Sequence, residues 1–153
     1  MKIEDKIIPD QKLAITKNKR PIVDVELVIA QLMGWVESEE VETIGSPFII
    51  FYSPRFSYDP EDVVFDIGIP INGDPEGTDI IEIVDLIEHN VLSATHKGSY
   101  DNIKETYEKM VDEAEKNNFD IIGSPKEVLI KSKIDVDDDN ELITEIQLPI
   151  IKM

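Results

Sequence analysis

The side chains that could perform chemistry in this 153-residue chain are carboxylates, hydroxyls and two histidines, because the sequence contains no cysteine. The lack of cysteine excludes disulfides, thiolate metal sites and a cysteine nucleophile. Among the carboxylates, Glu127 stands out: strand alternation in the run 126–130 places it on the same face as Leu129. A carboxylate on an apolar sheet face is costly unless it is paired or solvated. Glu127 is therefore either a ligand-binding residue in a cleft or a residue of a solvated face, paired with a neighbouring lysine.

Aromatic side chains could form the walls of a site for a cation. The face of an aromatic ring attracts quaternary or guanidinium-like cations by about 0.5 to 2 kcal/mol each. Aromatic residues at helical spacing are more often part of the core, and we expect this for at least half of the candidates. Trp35 and Tyr107 are the residues that we predict to line a cleft. The six candidates are Trp35, Phe51, Tyr52, Phe65, Tyr100 and Tyr107.

The two histidines, His89 and His96, do not predict a metal site. Seven residues along strand-like sequence place their side chains at distant or opposite positions, and further ligands at compatible spacing are needed. Nothing near either residue indicates a porphyrin site. We predict that His96 makes a structural hydrogen bond near the start of the second helix.

The acidic run 135–140 is similar to the start of a calcium-binding loop. The pattern fails at Asn140, where glycine is needed, and at Ile146, where the bidentate glutamate should be. The flanking segments also have the pattern of strands rather than helices. The run is therefore predicted to be a solvated hairpin loop.

The charge of the chain restricts its partners. Lys and Arg number 15 against 33 for Asp and Glu, which gives a formal net charge of −18. A field of this sign repels phosphate backbones, so direct nucleic-acid binding is not expected. The negative charge has two alternative roles. It either raises the local concentration of cations near the protein, or it serves only to keep the protein soluble. No apolar run approaches the roughly 20 residues of a membrane-spanning helix, and the amino terminus lacks a signal peptide, so we expect a cytoplasmic protein.

An internal repeat organises the sequence. The tetrapeptide Ile-Gly-Ser-Pro occurs at 44–47 and again at 122–125, a shift of 122 − 44 = 78 residues. Each copy is followed by a strand-like run, a turn and an alternating run that contains a Pro-Ile pair. The predicted strands of the two copies are 48–53 and 63–71, then 126–131 and 142–151.

Each half also contains a helix and an earlier strand upstream of the tetrapeptide. Apolar residues recur at helical spacing over 25–36 and again from Ile103 to Ala114, with Ser99 as a plausible N-cap. The earlier strands are predicted at 12–17 and 91–97. Each half is thus a β-α-β-β unit, and two such units predict an α+β fold: an antiparallel sheet with two helices on one face and a central cleft between them.

We expect one domain over residues 1–153. Repeat one covers about 11–71 and repeat two about 89–151, with a joining loop at about 72–77 that is rich in turn-forming residues.

The second half resembles the GyrI-like small-molecule-binding domain, the effector-binding module of AraC-type and MerR-type multidrug-sensing regulators. The resemblance rests on the ordered motifs at 96–100, Tyr107, 123–128 and 144–150. The fold of this family is similar to that of the SOUL proteins. The weaker first half fits the duplicated architecture of the family, so the resemblance spans nearly the whole chain.

The resemblance implies an open cleft with an aromatic lining and a glutamate on a central strand that pairs with lipophilic cations. Glu127 matches that glutamate, and Lys126 matches the basic position before it. Leu129 stands where the family pattern has a tyrosine.

Two further departures concern the second helix. Glu113 stands where many relatives have a tryptophan, and Asn118 stands where a glycine usually follows the helix. The repeat shift gives 113 − 78 = 35, so Trp35 is the equivalent of Glu113 in the first half. The expected ligand-binding residues are Glu127, Trp35, Tyr107, Phe51, Glu113 and Tyr100.

The resemblance and the expected ligand-binding residues together favour a protein that binds a ligand without chemical turnover. We expect a stand-alone effector-binding or multidrug-binding protein that holds a lipophilic, aromatic or cationic molecule between the two repeats, with no cofactor or metal. Residues 1–15 are too short for the helix-turn-helix domain that regulators of this family carry. Transcription regulation would then require a separate protein partner.

Two alternatives remain from the resemblance. Some stand-alone relatives are hydrolases that open strained electrophilic rings; here Glu127 would be the general base, and Tyr107 or Tyr100 would polarise the leaving group. Other relatives are gyrase inhibitors, and the acidic surface of this chain could act in that way on a topoisomerase.

Overall fold

The computed structural model describes residues 1–152, in which ten strands and two α-helices are defined. The helices are α1 (Val25–Ser38) and α2 (Ile103–Lys116). The strands are β1 (Ile3–Ile8), β2 (Gln11–Arg20), β3 (Glu42–Thr43), β4 (Phe48–Phe51), β5 (Val63–Asn72), β6 (Glu82–Leu86), β7 (His89–Lys97), β8 (Phe119–Ile121), β9 (Lys126–Lys131) and β10 (Ile143–Lys152). No helix in the described part of the chain is long and apolar enough to cross a membrane.

The chain divides into two compact units. The first unit is Pro9–Glu88, and the second unit consists of Met1–Ile8 and the chain from His89 onward. The first contains β2, α1, β4 and β5 in order, and the second contains β7, α2, β9 and β10. The predicted α+β fold, with a duplicated β-α-β-β unit, is therefore confirmed. The single-domain assignment, the limits of the two repeats and the cleft between them stay predictions.

The sheet of the first unit is antiparallel, with the order β4, β5, β2, β6, and β3 also pairs with β5. Alternation along β5 produces an apolar face whose side chains are at most 1% exposed. The helix α1 contacts β5 and β2. The buried residues of this β5 face are Val63, Phe65, Ile67, Ile69 and Ile71.

The sheet of the second unit is also antiparallel, with the order β1, β7, β10, β9, and β8 pairs with β10. The helix α2 packs on this sheet and contributes to a single apolar core. The buried core residues are Leu92, Ala94, Ile103, Tyr107, Met110, Ala114, Ile146, Leu148 and Ile150. The hairpin loop that was predicted between the last two strands is confirmed, since β9 and β10 pair and the residues that join them are mostly exposed.

The sequence pattern did not predict the strands β1, β3, β6 and β8. Both β1 and β6 carry charged residues and pair with one neighbour each, so neither shows a fully buried face. A strand without a fully buried face shows little alternation of apolar and polar residues, so its pattern is weak.

Ser99, the predicted N-cap of the second helix, caps the 3-10 turn just before α2, while the N-cap position of α2 itself is Asn102, whose side chain makes no capping hydrogen bond. The Ser99 side chain accepts a hydrogen bond of 3.1 Å from the backbone N–H of Asp101. This bond fixes a short 3-10 turn, Tyr100–Asn102, which leads into the helix. Gly98, just before the cap, has φ +102°, a value that favours glycine.

Both helices end on a residue with left-handed backbone at equivalent positions. Glu40 has φ 52° and Asn118 has φ 57°, and 118 − 40 = 78 is the repeat shift. After α1, Glu40 N–H donates to Glu37 O at 3.2 Å and Val41 N–H to Val36 O at 2.9 Å, a Schellman arrangement. Asparagine tolerates this conformation better than most residues, in agreement with the positive φ of Asn118.

We predict that Glu40→Gly stabilises the protein by about 0.5 to 1 kcal/mol, because glycine has no steric penalty at positive φ. Asn118→Gly should give a smaller gain. Glu39→Gly is the matched control, since it removes the same charge at φ −95°, and it should not stabilise. Urea unfolding followed by circular dichroism measures all three, and an equal gain in Glu39→Gly would show that charge rather than backbone conformation is the cause.

Candidate ligand-binding site

Glu127 is a buried carboxylate in the middle of the second unit. Its side chain is 2% exposed, and that of Leu129, on the same face of β9, is 4% exposed. Glu127 lies directly opposite Ile146 of β10, which is fully buried. The equivalent residue in the first unit is the buried Ile49. The alternation predicted for β9 is confirmed, and the alternative of a solvated face is wrong.

Tyr107 brings a hydroxyl group to this carboxylate. Its Oη donates a hydrogen bond of 2.5 Å to Oε2 of Glu127. Tyr107 is 8% exposed and belongs to the core of α2. Short O–H···O⁻ bonds of this type are about twice as strong as neutral ones, so this bond offsets part of the cost of burying the charge. The sequence selected both residues but did not predict the bond between them.

Trp35 and Glu113 occupy the same position in the two helices. Both helices have 14 residues and start 103 − 25 = 78 residues apart. Trp35 is 9% exposed in the first unit. Glu113 is half-buried near the end of α2, where its Oε1 accepts a hydrogen bond of 3.2 Å from Asn117 Nδ2. The indole of one helix is therefore replaced in the other by a carboxylate that is held by Asn117, whose side chain also donates to the carbonyl oxygen of Glu113 at 2.8 Å.

The remaining aromatic candidates differ in their surroundings. Phe51 is buried, with the Arg55 guanidinium 4.6 Å from its ring centroid and the Tyr58 ring stacked at 6.3 Å. Tyr100 is half-buried, and the Lys133 ammonium lies 5.9 Å from its ring centroid. Four of the six candidates are buried, as expected for core residues: Trp35, Phe51, Phe65 and Tyr107.

The structure brings together Glu127 and Tyr107. Tyr100 packs against the same core that contains Tyr107. Trp35 and Phe51 belong to the first unit, and Glu127, Tyr107, Glu113 and Tyr100 belong to the second. A site that combines residues of both units stays a prediction.

His96 makes the structural hydrogen bonds that were predicted for it. It is 7% exposed, and its Nε2 lies 2.9 Å from the carbonyl oxygen of Ser99. A carbonyl oxygen only accepts, so Nε2 donates, and in the neutral ring Nδ1 accepts from the Thr106 hydroxyl at 2.8 Å. His96 thus ties β7 to the start of α2. Within residues 1–152, no cluster of acidic or histidine side chains has the geometry of a metal site.

Thr144 lies on β10, opposite His96 of β7 and Leu129 of β9. Its side chain is fully buried, and in the described part of the chain its hydroxyl has no hydrogen-bond partner. An unsatisfied buried hydroxyl costs about 1 to 3 kcal/mol.

We predict that Thr144→Val raises the free energy of unfolding by about 1 kcal/mol, because it removes this hydroxyl with little change of shape. Thr106→Val is the matched substitution, and it should lower the free energy of unfolding by at least about 1 kcal/mol, because it leaves Nδ1 of His96 without its donor. Urea unfolding compares the two variants. If Thr144→Val were as destabilising as Thr106→Val, a bonded Thr144 hydroxyl would be indicated.

Asp66 is a buried carboxylate that was not among the sequence candidates. It is 5% exposed on β5, and its Oδ2 accepts a hydrogen bond of 2.8 Å from Tyr52 Oη. Burial raises the pKa of Asp66, and the Tyr52 bond and the nearby Lys17 oppose that rise. Burial, together with the bond to Asp66 and its charge, raises the pKa of Tyr52 to about 12.

Glu145 is the equivalent of Asp66 in the second unit, since 145 − 66 = 79, the shift between the two Pro-Ile pairs. It forms an ion pair of 2.5 Å with Lys6 and accepts a hydrogen bond of 2.8 Å from Ser93 Oγ. Burial would raise the pKa of Glu145, but hydrogen bonds from Lys6, Ser93 and Gln147 outweigh it, so the pKa is lowered. Alternation alone predicts a solvent-facing position for both carboxylates, so neither the burial of Asp66 nor the half-buried position of Glu145 was predictable from the pattern.

Solved structures share this fold at low sequence identity. The C-terminal domain of EcmrR matches with a TM-score of 0.86 at 19% identity, over 99% of this chain and 98% of that one. A hydrolase from Listeria innocua matches with a TM-score of 0.70 at 12% identity, over 98% and 92% of the two chains. SAV2435 bound to tetraphenylphosphonium matches with a TM-score of 0.57 at 12% identity, over 99% and 94%. No curated protein sequence matches the chain.

The duplicated β-α-β-β architecture, with two helices and antiparallel strands, defines an α+β fold that these solved structures share. The family model of the GyrI-like small molecule binding domain matches residues 1–151. The chain belongs to the GyrI-like small-molecule-binding family, as the motifs of its second half predicted.

Proposed function

We propose that this protein binds a lipophilic, aromatic cation and that Glu127 supplies the counter-charge. The observation that carries the proposal is a carboxylate that is only 2% exposed, on an apolar face, where the first unit has Ile49. A buried carboxylate is unfavourable without a compensating positive charge or hydrogen bonds. The Tyr107 hydroxyl, at 2.5 Å, provides one such bond. A bound cation would place a positive charge beside this carboxylate.

The rest of the chain favours the same ligand class. The net charge of −18 raises the local concentration of cations around the protein. Tyr107 also presents a ring next to the carboxylate, and aromatic rings attract organic cations. One desolvated charge pair and an aromatic contact are compatible with micromolar affinity, on the order of −8 kcal/mol.

Tetraphenylphosphonium is a suitable probe, since a solved relative of this fold is described as bound to it. Isothermal titration calorimetry of the full chain with tetraphenylphosphonium and with neutral triphenylphosphine oxide tests the charge requirement. We expect micromolar binding of the cation and at least about tenfold weaker binding of the neutral compound. Equal affinity for both compounds would contradict the proposal.

The pair of Glu127 and Tyr107 also supports a second candidate function, hydrolysis of strained electrophilic rings. A carboxylate and a phenol 2.5 Å apart are groups that can act as general base and general acid. A structural neighbour is described as a hydrolase. Mass spectrometry of such compounds after incubation separates the two functions, because ring opening by water adds one water mass, whereas binding leaves the compound unchanged.

A further inference from the structure

Thr144 carries the one buried side-chain hydroxyl that has no hydrogen-bond partner within residues 1–152. It is fully buried on β10, directly opposite Leu129 of β9 and His96 of β7. His96 does not serve as its partner, because both ring nitrogens are already engaged, Nε2 with the Ser99 carbonyl oxygen and Nδ1 with the Thr106 hydroxyl. Buried polar groups in proteins nearly always have a partner, so this hydroxyl requires an explanation.

Thr144 shares a face of the sheet with Glu127. Directly opposite residues of an antiparallel pair project to the same face, and so do alternate residues along one strand. Thr144 is opposite Leu129, which is two residues from Glu127 on β9. The two polar side chains are therefore diagonal neighbours, with a separation of about 7 to 8 Å. One aromatic small molecule can contact both.

The same turn of α2 lies over both side chains. Tyr107 Oη donates to Oε2 of Glu127 at 2.5 Å. The preceding residue, Thr106, donates from its hydroxyl to Nδ1 of His96 at 2.8 Å, and His96 is directly opposite Thr144. A ligand group that takes the place of Tyr107 beside Glu127 therefore also comes close to Thr144.

The first unit has apolar side chains at both equivalent positions. The repeat shifts of 78 and 79 give 127 − 78 = 49 and 144 − 79 = 65, so Ile49 corresponds to Glu127 and Phe65 to Thr144. Ile49 is 7% exposed and Phe65 is fully buried. The same architecture is thus built without either polar group in one copy. Polar side chains that break the pattern of a fold are expected at functional sites.

The two units also differ in which element supplies an aromatic ring to this part of the core. In the first unit the ring is Phe65 on the sheet, and the helix contributes Ile29, since 107 − 78 = 29. In the second unit the ring is Tyr107 on the helix, and the sheet contributes the smaller Thr144. An aromatic group of a ligand that replaces the Tyr107 ring would thus meet a hydroxyl on the sheet.

We propose that Thr144 is a ligand-contacting residue that selects an aromatic cation with a hydrogen-bond acceptor, such as a carbonyl oxygen, on its apolar body. The proposal rests on the proposed function, in which Glu127 binds the cationic group. The Thr144 hydroxyl donates to the acceptor and so gains the partner that residues 1–152 do not supply. A site of this kind discriminates against an analogue without the acceptor, because its own polar group is then left unpaired.

The test compares (4-acetylphenyl)triphenylphosphonium with (4-isopropylphenyl)triphenylphosphonium, two cations of similar shape that differ in one carbonyl oxygen. Isothermal titration calorimetry of the full chain gives the ratio of their affinities. We expect this ratio to fall by about tenfold in Thr144→Val, a change of about 1.4 kcal/mol, because valine keeps the shape of threonine and lacks the hydroxyl. Thr95→Val is the matched control, since Thr95 is exposed on β7 and lies opposite Glu145, on the other face of the sheet. It should leave the ratio unchanged.

Three results would overturn the role of Thr144. One is an affinity ratio that is the same in the wild type, Thr144→Val and Thr95→Val; if Glu127→Gln still weakens both cations, the proposed function stands without this inference. Another is a loss of stability in Thr144→Val as large as that in Thr106→Val, because the hydroxyl would then already have a partner. The third is failure of the wild type to bind tetraphenylphosphonium or either derivative, which overturns the proposed function as well.

Discussion

Glu127→Gln is expected to weaken the binding of tetraphenylphosphonium by about 100-fold. Removal of one partner from a buried charge pair costs about 2 to 5 kcal/mol, and about 2.8 kcal/mol corresponds to a factor of 100. Gln keeps the shape of the side chain and an oxygen that can accept the Tyr107 hydrogen bond, which measures 2.5 Å with Glu127. The fold should therefore be retained, and the affinity for neutral triphenylphosphine oxide should change little.

Glu108→Gln is the matched control for this experiment. Both substitutions change the net charge equally, from −18 to −18 + 1 = −17. Glu108 is exposed on α2 and is not one of the expected ligand-binding residues. If the two variants lose affinity equally, the field of the whole protein rather than Glu127 attracts the cation. If neither loses affinity, Glu127 is not the counter-charge.

Gly68→Ala is expected to destabilise the protein by about 1 to 3 kcal/mol through overpacking. Gly68 lies in the middle of β5, opposite Ile15 and Phe48 on the neighbouring strands. A Cβ atom there would lie 2.5 Å from Phe48 Cζ and 2.7 Å from Ile15 Cγ2. Both side chains are buried, at 1% and 7% exposure, so they have little room to move.

Gly34→Ala, in the same unit, is expected to change the stability in the opposite direction. A Cβ atom at Gly34, in α1, has no neighbour within 4 Å, and alanine favours a helix over glycine by about 1 kcal/mol. We expect Gly34→Ala to stabilise the protein by up to this amount in urea unfolding. A Gly68→Ala variant as stable as the wild type would mean that the sheet of the first unit can relax around an added methyl group.

The repeated architecture was predictable because it follows from local patterns. Alternation identified β5 and β9, helical spacing identified α1 and α2, and the Ile-Gly-Ser-Pro repeat aligned the two copies. The cap at Ser99 was predictable for the same reason, since capping depends on a few consecutive residues, but it caps the 3-10 turn before α2 rather than the helix itself.

The polar interior was only partly predictable. Glu127 was found because its neighbours on the strand are apolar, whereas Asp66 and Glu145 occupy alternate positions that usually face solvent. Their surroundings depend on residues far away in the sequence: Tyr52 bonds to the buried Asp66, and Lys6 with Ser93 contacts the half-buried Glu145. Such contacts leave no periodic signal.

The sequence by itself determined the duplication, the α+β class and the family, because periodicity, caps and motif order are properties of neighbouring residues. It also selected Glu127 and Tyr107. Only the tertiary structure decided that Tyr107 Oη bonds to Glu127, that Asp66 is buried and Glu145 half-buried, and that β6 pairs with only the first part of β2. Each of these depends on strand register and on how a helix lies on its sheet, which are fixed by packing over the whole unit.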